Sequence, residues 1–465
     1  MTRAALHELL AIAGLSAQRI EITGADPVLP TPFHIGEAGA AAIAASAVAA
    51  AELWAARHGR PRQPVAVELR HAVAALRSAR YLRIAGAPPK APFDPVSGLY
   101  QARDAWVFLH CNFPNHRAAA LGVLGLGDGA ERKSVEAAVA ARDGGELEDA
   151  IHAAGGCAAL VRSTAEWRRH PQSTAVATVP LLAIERIGDA PPKPLPREGD
   201  RPLSGFRVLD LTRVLAGPTC ARTLAEHGAE VLKVSGPHLP HSGELEIDTG
   251  LGKRACFLDL RRPADAATLQ SLIRDGRADV FSQGYRPGTL AAKGFSPEQI
   301  AALRPGAVSV ELSAWSVAGP WARRRGFDTI VQCASGMALI QGAGREPRLL
   351  PVSAIDYVTG YLMAYGVMIA LRRRAREGGS WRVRCSLART GQWIAERGLL
   401  DARDITDVPK ELPEDKIAQL SMETVSPMGT IRHIRPVAQM VETPPRWARP
   451  PVPLGHDAAE WPEQN

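Results

Sequence analysis

The stretch "FRVLDLTRVLAGPTCARTLAEHGAEVLKV", residues 206–234, decides the fold. Two runs of β-branched and apolar residues, Phe206–Leu211 and Ala229–Val234, flank a segment with Cys220, Leu224 and His227 at helical spacing and a glycine stop at Gly228. That order predicts strand, helix, strand. The same texture recurs in "ADVFSQ" (278–283), "AVSVEL" (307–312) and, after a long helical stretch, "WRVRCSL" (381–387). Short apolar strands alternating with helices predict an α/β fold with a parallel sheet, whose ligands sit at the carboxyl ends of the strands. A glycine fingerprint for dinucleotides is missing: "GLGDG" (125–129) is the nearest imitation and lacks the strand, helix and acidic residue that should surround it.

Outside this region the chain of 465 residues is long enough for two or three domains. "RIGDAPPKPLPREGDRPLSG" (186–205) concentrates proline, glycine and charge and is expected to be an extended, exposed linker with few contacts. The apolar run at 38–56 is mostly alanine and ends near Glu52, which predicts a buried helix rather than a membrane span. With His7 and Glu8 interrupting the first apolar segment, no export signal is expected, and the compartment predicted is cytoplasmic. The six cysteines are scattered without a CxxC pair, so reduced structural thiols are expected. His110, Cys111 and His116 in "HCNFPNH" fit no zinc spacing, and no metal site is predicted. A net charge of +7 is distributed along the chain, which suits an anionic small molecule better than nucleic acid.

"LLPVSAIDYVTGYLMAYG" (349–366) sets one acid, Asp356, at the start of a helix. Taken alone it is an N-cap or first-turn acid opposing the helix dipole. An earlier segment has the same layout. "HIGEAGAAAIAASAVAAAELWAARHGRPRQPVAVEL" (34–69) matches 354–387 as acid, small-residue helix, basic turn and strand, with Glu37 opposite Asp356.

Five blocks then carry a resemblance. Residues 207–234, "GKRACFLDL" (252–260), "ADVFSQGYRPGTLAAKGF" (278–295), "LRPGAVSVELSAWSVAGPWARRRGFDTIVQCASGMA" (303–338) and "AIDYVTGYLMAYGVMIALRRR" (354–374) resemble, in order and spacing, the class III CoA-transferases, which include formyl-CoA and carnitine CoA-transferases. The resemblance implies a nucleotide-fold (Rossmann-like) large domain with a smaller α+β domain. It divides the chain into 1–85, resembling the second part of the large domain, the small domain 86–185, the linker 186–205, the CoA-binding domain 206–400 and a tail 401–465 packing back on the protein. Segments resembling the small domain precede the nucleotide-fold half, so the order of parts is rearranged.

The resemblance further implies that Asp356 is a nucleophile, forming a mixed anhydride with an acyl group and then a thioester with CoA. A carboxylate at a helix start is expected to be ionised, with backbone N–H groups nearby to stabilise an oxyanion. CoA and acyl-CoA enter as substrates with no covalently bound cofactor, a carboxylic acid is the second substrate, and a homodimer is compatible with the family. CoA contacts carried over are Val214, Leu215 and Ala216 near the adenine, with Gly217 and Pro218 shaping the turn, and Lys253, Arg254, Arg286 and Arg325 on the phosphate side; Leu258 and Tyr285 fall in the same blocks. Ser235 and Gly236 replace an acidic and a basic residue usual in relatives, and Gly284-Tyr285 replaces Asn-Phe. Two other functions compete. Racemases of 2-methylacyl-CoA esters share the fold but have histidine before the aspartate of "GFDTIVQ", where Phe327 moves no proton and Asp328 reads as a structural or substrate-side acid. A catalytically silent CoA-binding protein is the other.

Overall fold

The computed structural model describes residues 2–89 and 93–462. Its largest element is a seven-stranded sheet: β1 (Ala183–Gly188), β2 (Arg207–Leu211), β3 (Glu230–Ser235), β4 (Lys253–Phe257), β5 (Val280–Gln283), β6 (Val308–Ser313) and β7 (Ser380–Ser386). The strands lie in the order β4-β3-β2-β5-β6-β7-β1, and every neighbouring pair is parallel except β7 with β1. From β2 the chain builds outward to β4, then returns to lay β5 on the other side of β2. The carboxyl ends of β2 and β5 therefore diverge, which is where open α/β sheets take their ligands.

Two helices of 24 residues run through the middle of the protein, α1 (Ile35–His58) and, beyond α2 (Ala216–Glu226) and α3 (Asp328–Ala334), α4 (Ala354–Glu377). A helix apolar on all sides has to be covered on all sides. Here α1 and α4 cover each other, and α2 lies against α4. Both long helices are apolar enough to cross a membrane, yet 94% of the best window of α1 and all of that of α4 are buried inside the protein. The crossing of α2 and α4 needs a glycine. A Cβ at Gly360 would stand 2.5 Å from the carbonyl oxygen of Ala216 and 2.7 Å from the Thr219 Cβ.

A second, three-stranded antiparallel sheet (Gly98–Gln101, Trp106–Leu109, Ala158–Leu160) carries helices Pro114–Leu124, Arg132–Ala140 and Gly144–Ala153 and has its own core around Tyr100, Val107, Leu121, Val135 and Ile151. Strands Ile20–Thr23 and Val65–Glu68 pair in parallel beside α1, and a hairpin, Ser421–Ser426 with Gly429–Ile434, takes Arg83–Ile84 as its third strand. Residues 90–92 of the small-domain segment and 463–465 of the tail lie outside the described residues.

The segment expected as a linker is extended and largely exposed over 189–200, but it is not poor in contacts. Residues 186–188 belong to β1, and the extended chain that follows is pinned: the Lys193 ammonium reaches Asp279 at 2.7 Å, Gly379 N–H donates to the Ala190 carbonyl at 2.8 Å, and the Arg57 guanidinium bonds the carbonyls of Arg201, Pro202 and Ser204. Its backbone groups find partners on helix ends, which a composition argument does not register.

Gly360→Ala should lower the urea midpoint by the equivalent of about 1–3 kcal/mol, the usual range for overpacking, even though alanine is the better helix former by about 1 kcal/mol. Gly122→Ala, in a helix with open space at that position, should raise it. A neutral Gly360→Ala would mean that α2 does not approach α4 this closely.

Candidate active site

The N-terminus of α4 is capped from outside. Ser353, before its first turn, makes no side-chain cap, and Asp356 is its third helical residue. The acceptor is Asp328, first residue of α3: its Oδ2 takes the Asp356 N–H at 3.0 Å, and the Ile355 N–H also donates to this carboxylate. The Gln332 side-chain amide donates to the other oxygen of Asp328, while its own Oε1 accepts the Leu350 N–H at 2.8 Å. One carboxylate thus satisfies two of the free donors of α4 and leaves the Asp356 side chain out of the cap. Among the described residues nothing donates a hydrogen bond to the Asp356 carboxyl group, which is 6% exposed.

Two sequence-based expectations change as a result. Burial first, then the Asp328 charge, push the Asp356 carboxyl well above the ordinary carboxylate range, so it favours its protonated form rather than being held ionised. Burial also raises Asp328, to about 6. The N–H groups of Ile355 and Asp356, candidates for an oxyanion site, are already taken by Asp328.

The same construction occurs a second time. Asp26 accepts the N–H of Gly36 at 3.1 Å and that of Glu37 at 2.8 Å, the second and third residues of α1, and burial pushes its carboxyl up to about 6. Glu37 thus stands to Asp26 as Asp356 stands to Asp328. After each long helix comes a strand that leads directly into a helix, Val65–Glu68 into Leu69–Ala75 and β7 into Leu387–Ala395. The sequence repeat is therefore a repeat in space. The two acids differ in surroundings: Glu37 has its Oε2 3.8 Å from the Nδ1 of His34, whereas Asp356, 6% exposed, sits between residues that border a cleft.

That cleft, of about 1320 Å³, is bordered by Asp328, Gln332, Ser353 and Tyr357, with Asp356 itself not on its wall, and by Leu215 from the turn after β2. Tyr357 is fixed by a buried network: its hydroxyl is 3.0 Å from Ser78 Oγ, which donates to Asp248 at 2.7 Å, and Arg222 of α2 donates to the same Asp248 oxygen at 2.8 Å. Segments far apart in sequence meet at this one carboxylate.

The turn between β2 and α2 separates the cleft from the strand ends. Val214 has φ +69°, a conformation rare for a β-branched residue, and lines a crevice at the ends of β2, β3 and β4; Leu215 lines the cleft. Asp210, fully buried, explains how the turn is held in that conformation. Its oxygens take the Thr212 N–H at 3.0 Å and the Lys253 ammonium at 2.7 Å, Lys253 also donates to the Pro218 carbonyl at 2.8 Å, and Lys233 donates to the Thr212 carbonyl. Burial alone would raise the Asp210 carboxyl, but the two ammonium groups hold it below its ordinary value.

Lys253 is therefore not a free phosphate-side cation: it is 3% exposed and committed to Asp210. Arg254 turns toward Asp457 of the tail, 3.6 Å away, and Leu258 lies in the core with Leu209 and Leu211. Tyr285 packs against that core. Ala216 opens α2 with its carbonyl against Gly360. Ser235 and Gly236 line the crevice, whose free volume of about 30 Å³ admits a water molecule but not a purine ring.

Arg286 is exposed and Arg325 half-buried, and Arg286 helps to depress Arg325, after burial. Both act on His116, which burial first and then Arg325, Arg213 and Arg286 push down to about 4. Arg213, whose guanidinium lies 5.3 Å over the Phe113 ring, was not singled out by the sequence reading. Its signal was there, as a cation directly after the carboxyl end of β2. Among the described residues none of these three arginines has a carboxylate partner within ion-pair distance; Arg213 donates to the Pro240 carbonyl and lines the small crevice, while Arg286 and Arg325 follow the carboxyl ends of β5 and β6. Phe327, beside Asp328, stacks on His110 with ring centroids 3.9 Å apart and planes at 6°, which makes "HCNFPNH" a packing element between the small sheet and α3.

The sequence matches the family model described as CoA-transferase family III over residues 9–191 and 203–425. Similar curated proteins include an acetyl-coenzyme A transferase of Hypoxylon pulicicidum, 35% identical over 46% of this chain and 37% of its own length, and an acyl-CoA transferase of Gibberella moniliformis, 30% identical over 63% and 55%. The alpha subunit of a succinyl-CoA–L-malate CoA-transferase of Chloroflexus aurantiacus is 31% identical over 47% of this chain and 53% of its own. The chain thus spans between about a third and just over half of the length of these relatives. Among solved structures, a hypothetical protein from Mycobacterium tuberculosis aligns over 42% of this chain and 57% of its own at 29% identity and a TM-score of 0.39. A CAIB/BAIF family protein from Brucella suis aligns over 43% and 56% at 27% identity, also at 0.39. With the family model matched in two segments that together take in most of its residues, the chain belongs to CoA-transferase family III.

Proposed function

We propose that the protein moves CoA from an acyl-CoA thioester to a carboxylic acid, with Asp356 as the covalent carrier. One observation supports this above the others: Asp328 takes over the capping of α4, so the Asp356 carboxyl is left without a hydrogen-bond donor among the described residues, between neighbours, Ser353 and Tyr357, that border a large cleft. In the first step an Asp356 oxygen bonds to the thioester carbonyl carbon and the C–S bond breaks, giving an aspartyl–acyl anhydride and CoA thiolate. The thiolate then attacks the aspartyl carbonyl carbon, the acyl group leaves as a carboxylate, and an aspartyl-CoA thioester remains. The acceptor carboxylate repeats the two steps in reverse order, regenerating Asp356, and no proton is consumed overall.

On this reading the seven-stranded sheet serves as a Rossmann-like nucleotide fold, and Arg286 and Arg325 meet the CoA phosphates. The nucleotide would lie on the β2–β5 side of the Val214 turn, since the crevice on the other side is too small.

Intact-mass measurement after mixing with acyl-CoA should show a covalent adduct on the peptide carrying Asp356 and none for Asp356→Ala; equal labelling of both would sink the assignment. Acylation requires the ionised carboxyl, and that group is raised, so the acylation rate should climb with pH above the ordinary carboxylate range. Asp328→Asn removes the opposing charge and should move that rise to lower pH, whereas an unmoved profile would show that Asp328 does not tune the nucleophile. Arg286→Ala and Arg325→Ala should each weaken CoA binding by roughly tenfold and flatten its salt dependence. Titration by calorimetry at two salt concentrations checks this.

A further inference from the structure

We infer that Gln332 decides which acid of the Asp328–Asp356 pair keeps a shared proton: it holds Asp328 as the ionised member and leaves the proton on Asp356, which makes it a positioning residue for the reaction. The inference rests on the CoA-transferase reading for its kinetic consequence alone. Both carboxyl groups are buried, and the Asp356 N–H donates to Asp328. Two acids that feel each other's charge in a region poor in water do not ionise together, so their neighbours decide where one proton rests.

Gln332 follows Asp328 by one turn of α3 and is itself buried. Its amide can sit only one way round. The Leu350 N–H is a fixed donor and takes Oε1 at 2.8 Å, which turns the Nε2 group toward Asp328 Oδ1. The N–H groups of Ile355 and Asp356 face the same carboxylate, so every hydrogen bond that Asp328 makes among the described residues is one it accepts. A protonated Asp328 would set its O–H against one of these donors and strand it in the interior. Asp356 has no such donors, and a proton there breaks no hydrogen bond. The other groups around the pair do not reverse this order. Cys333 of α3 is kept a thiol by burial, and His110, stacked on Phe327, is pushed down to about 3 by burial. Glu148 is paired with Arg162, Arg222 of α2 with Asp248, and Arg389 with Glu396, while the Tyr357 hydroxyl is turned to Ser78. Among the described residues Asp328 is the one charge that acts on Asp356. Asp356 can therefore ionise by losing its proton against that charge or by passing it to Asp328, and Gln332 opposes the second route.

The test uses the full-length protein. Gln332→Met removes the donor, and the arrangement with the proton on Asp328 should gain roughly tenfold, the worth of one hydrogen bond to a charged group. The rate of Asp356 labelling is read by intact mass, with whichever of acetyl-, succinyl- and palmitoyl-CoA labels the wild type. It should rise at the foot of the pH profile relative to the high-pH plateau, so that the profile flattens. Added to Asp328→Asn, the same substitution should leave the shape of the profile unchanged, because Gln332 acts through Asp328. A wild-type shape with a uniformly lower rate, or a change of shape that persists beside Asp328→Asn, overturns the inference. Difference infrared spectra at neutral pH need neither turnover nor a folded Gln332 variant. Wild type minus Asp356→Asn should show a protonated-carboxyl band and wild type minus Asp328→Asn should show none; any other pattern overturns the assignment of the proton. If no thioester labels the protein, the transferase reading fails, while the infrared pattern still decides where the proton rests.

Discussion

At Gly360 the backbone of α4 presses against the first carbonyl of α2, leaving no room for a side chain. That contact joins the two parts on which the site depends. α2 begins at the strained turn after β2, and Asp356 sits in the first turn of α4, so a tight crossing sets the distance between the mouth of the parallel sheet and the acid. A larger residue there would move the turn and the acid relative to each other, with a cost to geometry as well as to stability. The buried Asp210 and its two lysines hold the other end of the same assembly, since they fix the turn whose Val214 and Leu215 face opposite ways. Charges this deep contribute little net stability compared with apolar replacements. Their visible effect is to lock one conformation of the turn.

The electrostatics of Asp356 follow from how α4 is capped. A serine or asparagine at the cap would satisfy the helix without charge; here a carboxylate does so, and two acids are brought together in a region poor in water. Each makes the other harder to ionise. The Asp356 carboxylate is then basic when it loses its proton, and it has no hydrogen bond among the described residues to give up. Such an arrangement costs stability, which is expected where chemistry rather than folding selects the residue.

The twin arrangement of Asp26 with Glu37 and Asp328 with Asp356 shows that one structural idea was used twice. The helices that carry the acids pack on each other, so each half covers the apolar surface of its counterpart. The two strands flanking α1 form only a two-stranded parallel pair, whereas those flanking α4 belong to the seven-stranded sheet with its diverging strand ends. Only α4 therefore packs on the large sheet, and Glu37 is left against His34.

The strand-helix-strand texture, the parallel sheet, the stop at Gly228, the buried alanine helix and the repeat that sets Glu37 opposite Asp356 were all legible in the residues, because periodicity and turn chemistry act within a dozen residues. Other features depend on partners far apart in the chain. Whether Lys253 meets a phosphate or Asp210 is decided by which strand lies beside β3 and β2, and whether residues 189–205 hang free is decided by helix ends that happen to offer them donors and acceptors. The state of Asp356 belongs to the same class. Its position in the first helical turn was set by local sequence, but its unpartnered, hard-to-ionise carboxyl exists only because folding carries Asp328 to the end of another helix and closes water out around both.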